Sequence, residues 1–177
     1  MSPIEHFIHC PRCGVRLTPR CQPNSIQCAA CGLLLFFNPT VAVAGLIRGG
    51  DQRLLFLRRA KEPAKGKLAV PGGFVDFGET AEAALARETR EEVGLEPAGL
   101  RFFCSHVNSY AYQGVTYPVL DLFFIARVAP DARPLALDGV ADVCWLDPMQ
   151  LDLDEIAFPS IRRAIEQYRE VLGATDQ

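Results

Sequence analysis

No stretch of this chain is both long and apolar enough to span a bilayer. The longest apolar run, Val41 to Ile47, has the length of a buried strand. The N-terminus also lacks a basic segment followed by an apolar one, the pattern of a secretory signal. These two absences predict a cytoplasmic protein with no membrane partner. Positive charge is not in excess: 18 Lys and Arg stand against 21 Asp and Glu, for a net charge of −3. A nucleic-acid partner is therefore not expected, because it would want a basic patch or stripe. Acidity does not exclude an anionic substrate, since a bound cation reverses the local field. Internal repeats and low-complexity tracts are absent as well.

The first 36 residues have little with which to build a core. They hold five of the seven cysteines and several prolines, so burial alone cannot fold them and a staple is needed. Cys10-Pro-Arg-Cys13-Gly and Cys28-Ala-Ala-Cys31-Gly supply it, as two knuckles separated by fourteen residues. Four thiolates suit tetrahedral Zn²⁺, and a full set of four leaves no open position for catalysis. The alternative is two disulfides or free thiols, which a reducing compartment disfavours. His6, His9 and Cys21 are spare ligands or plain surface residues. Cys104 and Cys144 fall in apolar strands and read as buried thiols. Asn38-Pro39 punctuates the chain, which places a structural zinc ribbon at 1–37 and a larger domain at 38–177.

From Thr40 onward the pattern changes. Val41–Ile47 and Arg53–Arg59 read as a hairpin, followed by a Lys-, Pro- and Gly-rich loop over 61–67 and by short strand and turn over 68–77. Thr80 to Val93 reads as a helix with Thr80 as N-cap and Gly94 as the C′ glycine. Ala81, Leu85, Thr89 and Val93 form its packed stripe. Strands are expected over 101–112, 117–128 and 141–146. A second helix is expected over 160–171, with Ile161, Ile165, Tyr168 and Val171 or Leu172 on one side. This order of elements predicts an α/β class chain, with a mixed sheet between helices in an α/β/α sandwich.

The chemistry concentrates on the first helix. Glu88, Glu91 and Glu92 stand at i, i+3 and i+4 and share one face within a turn. Three clustered carboxylates repel one another, and so near a helix C-terminus the macrodipole opposes them too. A hard cation such as Mg²⁺ resolves both conflicts. Taken alone, E-x-x-E-E is also what a solvated helix face looks like. The wider spacing discriminates. Gly73, Glu79, Arg87, Glu88, Glu91, Glu92, Gly94 and Leu95 match the Nudix box, G-x5-E-x7-R-E-U-x-E-E-x-G-U, where U is a bulky apolar residue. The one departure is Thr89 at the first U.

The chain therefore resembles the Nudix hydrolases, and the resemblance implies a Nudix fold that hydrolyses a phosphoric anhydride bond in a nucleoside diphosphate derivative. It implies Mg²⁺ or Mn²⁺ held by Glu88, Glu91, Glu92 and the carbonyl of Gly72, with Glu79 and Arg87 as supporting residues. Glu88 is the first choice for general base. Asp138 and Asp142 are alternatives from outside the box, or surface turn acids. A ribbon before the box resembles the NADH pyrophosphatase branch, but that branch's S-Q-P-W-P-F-P-type motif is absent from Phe103 to Tyr112. His106, Asn108, Tyr110 and Tyr112 alternate along one strand, as a substrate-binding face or as the polar outer face of a half-buried strand. By family habit the chain is expected to form a homodimer.

Three readings follow. The leading one is a pyrophosphohydrolase acting on a nucleotide-derived small molecule such as NADH, NAD⁺ or ADP-ribose and releasing a nucleoside monophosphate. The second is a non-catalytic nucleotide-sensing module whose ribbon binds nucleic acid or protein. The third is a housecleaning enzyme for nucleoside triphosphates.

Overall fold

The computed structural model describes residues 3–17, 24–51 and 53–175. The chain divides into two compact units, Met1–Thr40 with Ser109–Val119, and Val41–Asn108 with Leu120–Gln177.

In the first unit a 3₁₀ turn, Pro3–His6, precedes a two-stranded antiparallel sheet of β1 (Ser25–Gln27) and β2 (Leu34–Phe36), with Ile26 opposite Leu35. Its apolar burial is thin. Ile4, Ile26, Cys10 and Cys28 are inside, while Ile8, Leu34 and Phe36 stay exposed. The segment therefore rests on its cysteines, as its composition predicts. Cys21 lies outside the described residues.

A seven-stranded mixed sheet holds most of its residues in the second unit, with residues 109–112 and 115–119 counted in the first. Its strands are β3 (Thr40–Arg48), β4 (Leu54–Arg59), β5 (Leu68–Ala69), β6 (Gly72–Phe74), β7 (Ala98–Tyr112), β8 (Val115–Arg127) and β9 (Val140–Leu146). The order is β5-β4-β3-β8-β7, with β6 also pairing β3 and β9 also pairing β4. β7 and β8 are joined by Gln113-Gly114, both at positive φ, the conformation that lets a two-residue turn follow the strand twist.

Two helices cover the sheet, α1 (Ala81–Val93) and α2 (Pro159–Thr175). Adjacent residues of a strand point to opposite faces, and β8 shows this directly. Phe123 packs in a cluster with Ile161, Ala164 and Ile165 of α2, whereas Phe124 packs with Ala84 and Leu85 of α1. The expected sandwich is therefore present. The α1 stripe differs slightly from expectation, and α2 takes one of its two expected residues. Ala84 rather than Ala81 is fully buried on α1, and on α2 Leu172 packs while Val171 is half exposed. Among the described residues no helix is long and apolar enough to cross a membrane.

α1 is capped at both ends. Thr80 Oγ1 accepts the Ala83 N–H at 3.2 Å, and Gly94, at φ 70°, donates its N–H to the Arg90 carbonyl at 3.0 Å. Thr89, the one departure in the motif, is buried with its hydroxyl donated to the Leu85 carbonyl at 2.7 Å. A threonine is tolerated in an apolar slot because the helix backbone satisfies its polar atom.

Candidate functional site

Strand β6 brings the glycine pair to the last turn of α1. It pairs antiparallel with β3, Gly73 opposite Val43 and Gly72 opposite Ala44. Gly72 has φ 154°, and a Cβ there would strike the Val43 carbonyl. At Gly73 a Cβ would occupy the place of the Glu88 carboxylate. Glycine at both positions thus lets strand and helix approach until side chain meets main chain.

Glu92 exploits this approach: its Oε2 accepts the Gly72 N–H at 2.9 Å. Burial pushes the Glu92 carboxyl up to about 8, and repulsion from Glu88 and Asp138 adds to it. The Gly72 N–H and the Arg59 guanidinium pull the other way. Glu88 is raised as well, first by burial, with Arg87 opposing. Such carboxylates are held short of counter-charge, an environment a divalent cation would relieve.

Arg87 organises the rest. Its Nε and Nη2 donate to the two oxygens of Glu79, both at 3.0 Å, a bidentate pair. Nη1 donates to Glu88 Oε1 at 2.8 Å and to Glu91 Oε2 at 3.1 Å, and Nη2 reaches the Phe74 carbonyl at 3.1 Å. One guanidinium thereby ties the loop before the helix, strand β6 and two of the three glutamates. These bonds hold Glu79 below the ordinary carboxylate range and raise Arg87 further.

The residues expected outside the box separate cleanly. Asp138 is drawn to the end of α1, where its N–H meets the Glu91 carbonyl at 3.3 Å and its carboxylate accepts from Lys61 Nζ at 2.9 Å. Asp142 is an exposed strand residue opposite Arg58, with its carboxylate on the Val143 N–H. On β7, Asn108 Nδ2 donates to Asp121 at 3.0 Å, and the His106 ring lies 5.9 Å from that of Phe123 with Nε2 buried and without a hydrogen bond. Ser160 Oγ faces Asp121 and opposes the burial that raises this carboxyl, though no hydrogen bond of normal geometry joins them. The rings of Tyr110 and Tyr112 lie 6.4 Å apart, with Tyr112 half exposed.

Arg59, Lys61 and Asp121 carry no motif. Arg59 lies over the Phe158 ring at 5.0 Å and acts electrostatically on Glu92. In the sequence it is one cation in a basic loop, and only the return of β9 and α2 distinguishes it.

The four cysteines form a second centre. They are the one set of three or more metal-ligating side chains, among the described residues, whose donor atoms all lie within 4.8 Å of one another. The three glutamates instead lie along one helical turn, paired to Arg87 and Gly72. The two knuckles repeat the same bonds. Gly14 N–H donates to the Cys10 carbonyl at 2.8 Å and Gly32 N–H to that of Cys28 at 2.9 Å, with both glycines near φ 72–73°. Sulfurs are 3.7 Å apart for Cys10 and Cys31 and 3.6 Å for Cys13 and Cys28. A tetrahedron of Zn–S bonds near 2.3 Å places sulfurs about 3.8 Å apart, so the donor set fits that metal. Burial raises the Cys10 thiol, but N–H groups of Cys13 and Arg12 outweigh it and bring it to about 6. The Val15 N–H lowers Cys13, yet burial and its neighbouring sulfurs win and raise it to about 12. Thiolates this close oppose one another unless a cation sits among them. By contrast, burial raises Cys104 to about 11 and also raises Cys144, which makes both inert packing thiols.

The NUDIX domain model matches residues 38–168. The chain is 49% identical over 63 residues to an ADP-ribose pyrophosphatase of Methanocaldococcus jannaschii, covering 36% of this chain and 37% of that protein. It is 30% identical over 180 residues to the NAD-capped RNA hydrolase NudC of Chromobacterium violaceum, covering 95% of this chain and 63% of the relative. It therefore spans less than two thirds of either relative. A Nudix hydrolase structure from Nitrosomonas europaea superposes with a TM-score of 0.70 at 23% identity, over 92% of this chain and 90% of that one. The Nudix domain of Shewanella oneidensis NrtR, solved with ADP-ribose, superposes with a TM-score of 0.62 at 25% identity, over 77% and 90%. With a family match over most of its length, the box on a capped helix and the fold that presents it, this chain belongs to the Nudix family.

Proposed function

We propose that this protein hydrolyses the pyrophosphate bond of a nucleoside diphosphate derivative of the NAD or ADP-ribose type and releases a nucleoside monophosphate. The observation that carries the reading is the seating of Glu88 and Glu92 against the Gly72–Gly73 backbone. It holds two largely buried carboxylates beside the main chain of β6, Glu92 on the Gly72 N–H and Glu88 paired with Arg87. The names of the relatives support the substrate class: one is an ADP-ribose pyrophosphatase, another a hydrolase of NAD-capped RNA, and a structural neighbour holds ADP-ribose.

Glu88, Glu91, Glu92 and the Gly72 carbonyl would hold Mg²⁺ or Mn²⁺, which supplies charge neutralisation on the phosphoryl oxygens and acidifies a bound water. Phosphoryl transfer asks mainly for positioning and electrostatics, and the chain's own residues provide both. Arg87 and Glu79 lock the loop before α1 to its last turn, so the glutamates keep their spacing. Glu88 is the first choice to accept the proton of the attacking water, since its carboxylate lies against the Gly73 backbone at the glutamate turn. Asp138, beside the same turn, is the alternative base, and Asp142 is the weaker candidate. Arg59 and Lys61 face the same end of the helix and would meet substrate phosphate. His106, Asn108, Tyr110 and Tyr112 would contact the nucleoside. We assign residues 1–37 to a structural zinc ribbon and 38–177 to the hydrolase domain, and expect a homodimer.

The test is product release from NADH, NAD⁺, ADP-ribose, NAD-capped RNA and nucleoside triphosphates. It is run with Mg²⁺, with EDTA, and with Glu92→Gln. Release of a nucleoside monophosphate that both EDTA and the substitution abolish supports the reading. Cleavage of triphosphates alone selects the housecleaning reading. Binding of ADP-ribose with no cleavage of any substrate would replace the enzyme by a sensor.

A further inference from the structure

The β3–β4 pairing runs to Arg48 opposite Leu54, and the chain then turns through Gly49, Gly50 and Asp51. This turn lies at the end of β3 away from Val43 and Ala44, where the glycine pair of the glutamate site docks. Two adjoining clefts open around it, of about 590 and 380 Å³, and both are lined by Gly49, Gly50, Ala129 and Pro130. Arg48 and Arg127 line the larger, while Trp145 and the Asp51–Arg53 ion pair line the smaller. Both volumes fall in the size range of small-molecule sites.

Three features of these clefts point to one kind of ligand. The first is charge. Among the described residues no carboxylate pairs with Arg48 or Arg127, as with several other arginines of the chain, but these two line the same cleft. Arg48 is half-buried and close enough to the buried Tyr168 phenol to act on it electrostatically. Two arginines thus share one cleft without a counter-ion in a chain whose net charge is −3, and planar guanidiniums favour phosphate and carboxylate oxygens.

The second feature is close approach. A Cβ at Gly49 would come within 3.1 Å of the Trp145 ring, and one at Gly50 within 3.1 Å of Pro130. Glycine at both positions leaves backbone where the two clefts adjoin, at a spot where a Cβ would fit only tightly. The third is the indole. Trp145 packs on one side against the main core and with its remaining surface lines the cleft. A half-buried tryptophan beside a cationic cleft is a platform on which a base can stack.

We propose that the two adjoining clefts together form a second ligand site, which takes a nucleoside monophosphate with its phosphate on Arg48 and Arg127 in the larger and its base against Trp145 in the smaller. It is separate from the glutamates. Trp145 pairs with Leu55 near the start of β4, whereas the strand end at Arg59 pairs with Val140. Four residues of extended chain put about 13 Å between them. The ligand is of the same chemical class as the product expected of the glutamate site, so occupancy would report product. The assignment itself rests on the clefts alone.

Trp145 is the chain's one tryptophan, so its fluorescence reads this site directly. AMP, adenosine and inorganic phosphate are titrated into the full chain in EDTA, where the glutamate site has no divalent cation. AMP is expected to change the fluorescence saturably, adenosine to bind at least about tenfold more weakly, and phosphate to compete with AMP. Arg127→Ala, at an exposed position, should weaken AMP at least about tenfold, and Arg48→Ala likewise where circular dichroism shows it folded. Glu92→Gln should leave the titration unchanged. No saturable response at millimolar AMP overturns the proposal. So does a response that survives Arg127→Ala but disappears with Glu92→Gln, since that places the nucleotide at the glutamates.

Discussion

At the scale of the residue, the decisive feature is the setting of Glu92, which unlike Glu88 and Glu91 has no bond to Arg87. Glu92 has a single backbone N–H, from Gly72, and burial dominates its protonation. Glu92→Gln should lower hydrolysis at least about a hundredfold, because it removes a charge needed in the transition state. Steady-state kinetics at saturating Mg²⁺ checks this. The same substitution is expected to stabilise the metal-free protein at pH 8, by up to a few kcal/mol, because the buried charge disappears. Gly73→Ala should displace Glu88, whose carboxylate fills the space a Cβ needs. It should depress kcat while circular dichroism stays native. The motif letters were legible without the fold, including Thr89, but the hydroxyl bond that accommodates Thr89 was not. Neither was the bond from Gly72, where the expectation concerned the carbonyl and the structure uses the N–H.

At the scale of the element, the helix and the ribbon are held by opposite means. α1 is a well-capped helix whose local signals agree with its environment. Thr80→Ala should cost about 1 kcal/mol by chemical denaturation, as loss of an N-cap does. Gly94→Ala should cost about as much, since an L residue at φ 70° is strained. The N-terminal segment has two short strands and little buried apolar surface, so under the proposed zinc assignment its folding energy would come through the four sulfurs. Inductively coupled plasma mass spectrometry should find one zinc per chain. Chelation, or Cys13→Ser, should loosen hydrogen-exchange protection across residues 8–36; unchanged protection would show that the metal is not the staple. The knuckles were readable from spacing because both carry a glycine where the chain folds back at positive φ. The extra turn of α2, which runs on to Thr175, was not, because Gly173 interrupts the apolar stripe and reads as a helix stop.

At the scale of the whole molecule, two carboxylates with opposite shifts shape the pH dependence of stability in EDTA. Glu92 is raised from 4.5 to about 8. Its contribution is fully present below pH 4.5 and is lost as pH rises towards 8, because the native state then binds more protons than the unfolded chain. Glu79 is lowered by Arg87, so its contribution is present above 4.5 and is lost as pH falls. Metal-free Tm should therefore fall from pH 5 to 8, and saturating Mg²⁺ should remove most of that fall. Glu92→Gln should flatten the same window without metal. A Tm that is level from pH 5 to 8 in EDTA would contradict the buried setting of Glu92. The core divides just as sharply. Phe123→Ala should cost about 3–5 kcal/mol, as truncation of a fully buried aromatic does.

The sequence by itself determined whatever depends on near neighbours along the chain. The spacing of Glu88, Glu91 and Glu92 puts three acids on one turn, because a helix repeats every 3.6 residues. Thr80 and Gly94 bracket that helix, and two C-x-x-C-G knuckles bring sulfurs together in pairs. The sheet-and-helix order followed from alternating and helical apolar periods. Tertiary structure decided what depends on residues far apart in number. It set Glu92 against the N–H of Gly72, twenty positions earlier. It drew Asp138 to the glutamate turn and left Asp142 on a strand, although both precede Trp145 by a few residues. It sorted Phe123 and Phe124 to opposite layers, and it gathered Arg48 and Arg127 around one cleft with Trp145 on the cleft beside it. Spacing along a chain fixes only which side chains share a face of their own element. Which faces meet depends on the pairing of β3 with β6 and of β4 with β9, and those long-range hydrogen bonds leave no local signature.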